Sequence, residues 1–156
     1  MIERFDHVSI GVRDIKAALP LVRLLGGELF DGGDSVDARF RWVQFTLPGG
    51  GKLELIAPLP GAAADHFLVR FLESRGEGVH HLTLKVSDIG RAIEQARDLG
   101  FTLVAIDLSH EHWKEAFVHP RSASGVLVQL AAWDDTPRDR EVTLGAILEG
   151  VPDRYA

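Results

Sequence analysis

Residues 5–29, FDHVSIGVRDIKAALPLVRLLGGEL, return as residues 79–103, VHHLTLKVSDIGRAIEQARDLGFTL. The offset is constant, 81 − 7 = 74, and it pairs His7 with His81, Asp14 with Asp88, Gly26 with Gly100 and Leu29 with Leu103. A repeat of this length marks a duplicated supersecondary unit, and the rest of the chain is read outward from it. HVSIGV and HLTLKV alternate as half-buried strands do. DIKAALPLVRLLGG and DIGRAIEQARDLG read as helices, with Asp14 and Asp88 as N-caps and a glycine after each last turn. Pro20 is expected to kink or shorten the first of them.

Each copy continues into two further strands. RFRWVQFTL and GKLELIAP in the first half correspond to KEAFVHP and SGVLVQLAAW in the second. Gly49-Gly50-Gly51 marks the first hairpin turn; Ser122, Ser124 and Gly125 mark the second. The chain is therefore an α+β protein made of two tandem βαβββ modules. The expected organisation is one domain over residues 1–133: a first module (1–60), a linker helix (61–75, with Ala62–Ser74 helical) and a second module (76–133). A charged C-terminal arm follows (134–156). REVTLGAILEG within the arm reads as a short helix, and the arm either packs on the body or a second subunit, or frays.

Composition narrows the class. The chain has 156 residues, no cysteine and a net charge of −6, without a long basic run. That points away from nucleic acid as a partner and rules out thiolate metal sites. MIERFDHVSI lacks the basic and apolar regions of a signal peptide, and no apolar run has the length of a membrane span. A soluble cytoplasmic domain is the expectation.

The repeat also sets four polar residues at equivalent places. His7 and His81 open the paired strands. KLELIA and VLVQLA match at 129 − 54 = 75, which pairs Glu54 with Gln129. A polar residue inside an apolar strand needs a partner if that face is buried. Two imidazoles, a carboxylate and a carboxamide make a nitrogen and oxygen site for one divalent metal ion, with Co, Ni, Zn, Fe and Mn all suited to it. Because neighbouring strand residues face opposite ways, His81 belongs to this set and His80 does not.

These segments resemble the vicinal oxygen chelate (glyoxalase/bleomycin resistance/dioxygenase) superfamily, and are most similar to its methylmalonyl-CoA epimerase family. FDHVSIGVRDI, KLELIAPL, FLESRGEGVHHLTLKVSDI and FVHPRSASGVLVQL carry the resemblance, in that order. It implies the glyoxalase fold, in which two modules form a curved sheet around a metal cup, with ligands falling on His7, Glu54, His81 and Gln129. It implies a small-molecule substrate, an acid or thioester, and a homodimer. The implied activity is that of a metal-dependent isomerase or lyase, abstracting a proton next to a metal-bound carbonyl. A lactoylglutathione lyase-like enzyme and a non-catalytic, antibiotic-binding protein of the same fold are the alternatives.

The chain departs from that family in three places. The family carries Gln where Glu54 stands and Glu where Gln129 stands, so the two are exchanged. Its second acidic residue falls near Gln44, an amide that cannot serve as a base. Glu54 is then the expected catalytic carboxylate, and any second base has to come from Glu111, His112 or Glu115, on which the family is silent. Finally, DLSHEHWKEAF replaces a glycine-rich loop. Trp113 there either walls a reshaped substrate pocket, together with Gln44 and Glu115, or fills space.

Overall fold

The computed structural model describes residues 1–134 and 141–154, so part of the expected arm, 135–140 and 155–156, lies outside the described residues. The order of elements is β1 (Ile2–Gly11), α1 (Ile15–Leu24), β2 (Glu28–Ser35), β3 (Phe40–Thr46), β4 (Lys52–Pro58), α2 (Phe67–Arg75), β5 (Gly78–Val86), α3 (Ile89–Asp98), β6 (Leu103–Asp107), β7 (Trp113–Val118), β8 (Val128–Trp133) and α4 (Leu144–Glu149). The βαβββ pattern thus occurs twice, with α2 between. The strands run in the order β2-β3-β4-β1-β5-β8-β7-β6. Both expected hairpins form, β3 with β4 and β7 with β8, each antiparallel. No helix among the described residues is long and apolar enough to cross a membrane.

The caps follow the sequence closely. Asp14 accepts from the Lys16 amide and Asp88 from the Arg91 amide, each satisfying an orphan donor of the first helical turn. Gly26 and Gly100 take φ of 68° and 82° just past the helix ends, a region open to glycine at no steric cost. Pro20 does not shorten α1, which has ten residues like its counterpart α3. The linker helix begins later than expected, at Phe67. His66 caps it through Nδ1, which accepts from the Leu68 amide, while Nε2–H donates to the Ala38 carbonyl at 2.8 Å.

The described residues fall into two compact units. One comprises those of Met1–His7 and His81–Arg138, the other those of Val8–His80 and Asp139–Ala156. In the first unit, Ile89, Ala92 and Ile93 of α3 pack on Ala116 and Val118 of β7 and Leu130 of β8. In the second, Ile15 and Val22 of α1 pack on Val43, Phe45, Leu53 and Leu55, and Ile147 of α4 joins them, fully buried.

The C-terminal segment lies along β2 in this second unit. The Asp34 amide donates to the Val151 carbonyl and the Asp153 amide to the Asp34 carbonyl. Arg41 donates to both Asp34 and the Leu148 carbonyl, and Trp42 Nε1 donates to Asp153. Gly33 makes this approach possible, since a Cβ there would lie 2.7 Å from Asp153 Cα. Buried Asp31 pairs with Arg154.

Candidate metal centre

The first unit holds His7, His81 and Gln129. His7 and His81 are buried at 2% and 7% exposure, and their rings meet edge-on with centroids 5.8 Å apart. His81 also packs on the Phe117 ring. His7 Nδ1 donates to Asp6 Oδ2 at 2.8 Å, although the two are sequence neighbours. Nδ1 sits beside Cγ, close enough to the backbone to reach an adjacent residue, so Nε2 is the nitrogen that projects inward. A carboxylate on Nδ1–H fixes this tautomer, the arrangement usual for a ligating histidine.

What Nε2 meets is informative. Thr83 Oγ1 lies 2.9 Å from His7 Nε2 and also bonds Gln129 Oε1. A hydroxyl has one proton, and here two acceptors face it. A second buried hydroxyl tells a related story in the other unit. Ser9, which aligns with Thr83 at the same offset (83 − 74 = 9), has a buried Oγ with no hydrogen-bond partner. The donor set is buried nitrogen and oxygen without sulfur, so these residues suit a borderline divalent ion.

Gln129 is held at both ends. Its Nε2 donates to Glu115 Oε2 on β7, and the same oxygen accepts from Trp113 Nε1 at 2.8 Å. The Trp113 ring stacks on Trp133, centroids 5.0 Å apart and planes 21° from parallel. Lys85 and Arg4 lie over the Trp133 ring.

The second unit holds Glu54 and Gln44. They are direct cross-strand partners on β4 and β3, and Gln44 Nε2 donates to Glu54 Oε2 at 2.9 Å. Both are buried. His80, next in sequence to His81, goes elsewhere. Its ring packs against Phe67 and Phe71 of α2, with centroids 5.6 and 4.9 Å away. Burial lowers its pKa to about 4, against the opposing pull of the Glu54 charge, so it is a neutral packing residue at pH 7.

Sequence reasoning passed over Thr83, Ser9 and Asp6. A signal existed, because the hydroxyl two residues after each histidine repeats with it, in HVS and HLT. His110 and His112 are exposed on the β6–β7 loop. His119 caps the 3₁₀ turn Pro120–Ser122, Nδ1 accepting from the Arg121 amide.

Comparison with known proteins agrees with this fold. Residues 6–117 match the model of a family described as the glyoxalase/bleomycin resistance protein/dioxygenase superfamily. An ethylmalonyl-CoA/methylmalonyl-CoA epimerase from Cereibacter sphaeroides is 33% identical over 135 residues, 83% of this chain and 98% of that one. The uncharacterized protein YqjC of Bacillus subtilis is 32% identical over 129 residues, 81% of this chain and 90% of that one. The crystal structure of methylmalonyl-CoA epimerase from Mycobacterium tuberculosis superposes with a TM-score of 0.73 at 28% identity, covering 85% of this chain and 89% of that one.

Proposed function

For this chain, which belongs to the glyoxalase/bleomycin resistance protein/dioxygenase superfamily, we propose the activity of a metal-dependent epimerase on an acyl-CoA thioester of the malonyl type. One divalent ion is held by His7, Glu54, His81 and Gln129. The observation that carries this reading is their burial. Two imidazoles, a carboxylate and a carboxamide sit at repeat-equivalent strand positions with 2%, 7%, 7% and 6% exposure. Side chains of these types are rarely buried unless they are paired or ligating. His7 and His81 also meet edge-on within one unit, and Glu54 is the buried carboxylate at the matching strand position of the other. Support for the substrate class comes from the similar epimerases.

The ion, when bound, supplies a Lewis acid for negative charge developing on a thioester carbonyl oxygen. The chain's own residues divide the remaining work. Glu54 is the carboxylate that takes the proton from the carbon next to the carbonyl, and a solvent proton returned to the opposite face of the carbanion completes the inversion. Gln44, donating to Glu54 Oε2, orients that carboxylate. Gln129 and Gln44 are amides and neither hold nor release a proton. Trp113 and Glu115, two apart on β7 and so on one face of that strand, are the residues assigned to the substrate. The active form is a homodimer.

Solvent deuterium exchange tests the reading. Wild-type protein in deuterium oxide should label the α-carbon of methylmalonyl-CoA or ethylmalonyl-CoA. Glu54→Gln should abolish labelling by more than a hundredfold, the usual scale for removing a general base. Labelling unchanged by Glu54→Gln removes that residue from the mechanism; absence of labelling by metal-loaded wild type rejects this substrate class.

A further inference from the structure

We infer that Glu115 is the positioning residue that makes Gln129 a metal ligand, with Trp113 holding Glu115 in place. The inference rests on the ion site proposed above and deepens it. A carboxylate presents oxygen whichever way it turns. A carboxamide does not: a half-turn replaces its oxygen, the end a divalent ion accepts, with NH₂. With Gln rather than Glu at 129, the site needs something to choose the end.

Glu115 supplies that choice. As a carboxylate it can only accept, so only the Nε2 end of Gln129 can face it. That end does face Glu115 Oε2, and Gln129 Oε1 is thereby turned toward Thr83, whose hydroxyl also touches His7 Nε2. The two groups are not direct cross-strand partners, since Gln129 pairs with Phe117 and Glu115 with Ala131. The diagonal reach lets the amide lie along the hairpin. Trp113 Nε1 donates to the same Glu115 oxygen, and stacking on Trp133 fixes the indole. Trp113 and Glu115 lie two apart on β7 and so share a face.

The two hairpins therefore carry the same amide-to-carboxylate bond in opposite order. On β3 and β4 the amide is Gln44 and the carboxylate Glu54. On β7 and β8 the carboxylate is Glu115 and the amide Gln129. The DLSHEHWKEAF segment thus supplies a support that a glutamate at position 129 would not need.

Co²⁺ titration by calorimetry and visible absorption tests this without any turnover assay. Glu115→Ala should weaken Co²⁺ binding about 10- to 100-fold, the usual effect of losing a partner that orients a ligand, and should alter the Co²⁺ absorption bands. Glu115→Gln, whose amide oxygen the Trp113 Nε1–H would hold toward Gln129, should stay within about threefold of wild type. In a Gln129→Ala background, Glu115→Ala should cause no further loss, because its effect passes only through Gln129. Equal losses in Glu115→Ala and Glu115→Gln would overturn the inference in favour of a purely charge-based effect. So would full Co²⁺ affinity in Glu115→Ala, or an undiminished effect in the Gln129→Ala background. Failure of wild type itself to bind Co²⁺ would instead reject the underlying ion site, and this inference with it.

Discussion

Replacing Thr83 by valine separates the metal-free protein from its loaded form. Thr83 is fully buried, and its hydroxyl lies against His7 Nε2 and Gln129 Oε1. Valine keeps the branched shape that suits a strand and removes only the hydroxyl. Two acceptors share one proton, so one hydrogen bond is lost, worth about 0.5–1.5 kcal/mol. The stranded buried acceptor adds about 1–3 kcal/mol, and a net cost of about 2 kcal/mol follows. For a chain of this length that lowers the thermal midpoint by roughly 4–8 °C. The ion-bound protein should respond differently, because His7 and Gln129 then bond the ion. Thermal melts with and without Co²⁺ should show most of the loss in the apo form, and Co²⁺ affinity should hold or rise by up to about tenfold. A Thr83→Val protein as stable as wild type without metal, or one unable to bind Co²⁺, would refute this account of the His7–Thr83–Gln129 contact.

Ser9→Ala, at the matching position, should leave apo stability within about 1 kcal/mol of wild type or raise it, since Ser9 Oγ has no partner to lose; denaturant melts check this. Ile147→Ala should cost about 2–4 kcal/mol by urea unfolding, because the side chain is fully buried in the second unit's core. His80→Ala should lose about 1–3 kcal/mol of packing against Phe67 and Phe71 while retaining Co²⁺, whereas His7→Ala or His81→Ala should lose the ion; equal ion loss in all three would sink the strand-face argument.

Much of the architecture was legible because it was written twice. One offset located the paired strands, helices and caps, and the Asp14 and Asp88 caps formed as read. Local readings failed where a distant residue decides. Ala62–Asp65 look helical by composition, yet α2 starts only where the His66 imidazole caps it, and that ring is fixed by the carbonyl of Ala38, 28 positions away. A bulge between Leu29 and Asp31 leaves Phe30 half exposed and Asp31 buried, with its cationic partner, Arg154, at the far end of the chain. Neither local pattern nor propensity reports such a pair. The candidate ligands stood out because they interrupt apolar strands in matched places. Thr83 and Ser9 did not, because a hydroxyl in an alternating strand looks like an ordinary solvent-facing residue. The roles of Glu115 and Trp113 depend on a diagonal contact across a hairpin, which spacing alone does not encode.

Elemental analysis of the purified protein, repeated after metal removal and reloading with Co²⁺, addresses the central claim most directly. The proposed site predicts one divalent ion per chain in wild type and none in His7→Ala or His81→Ala. A wild-type chain that retains no ion after reloading would contradict it and leave the buried imidazoles as structural residues of a metal-free binding protein.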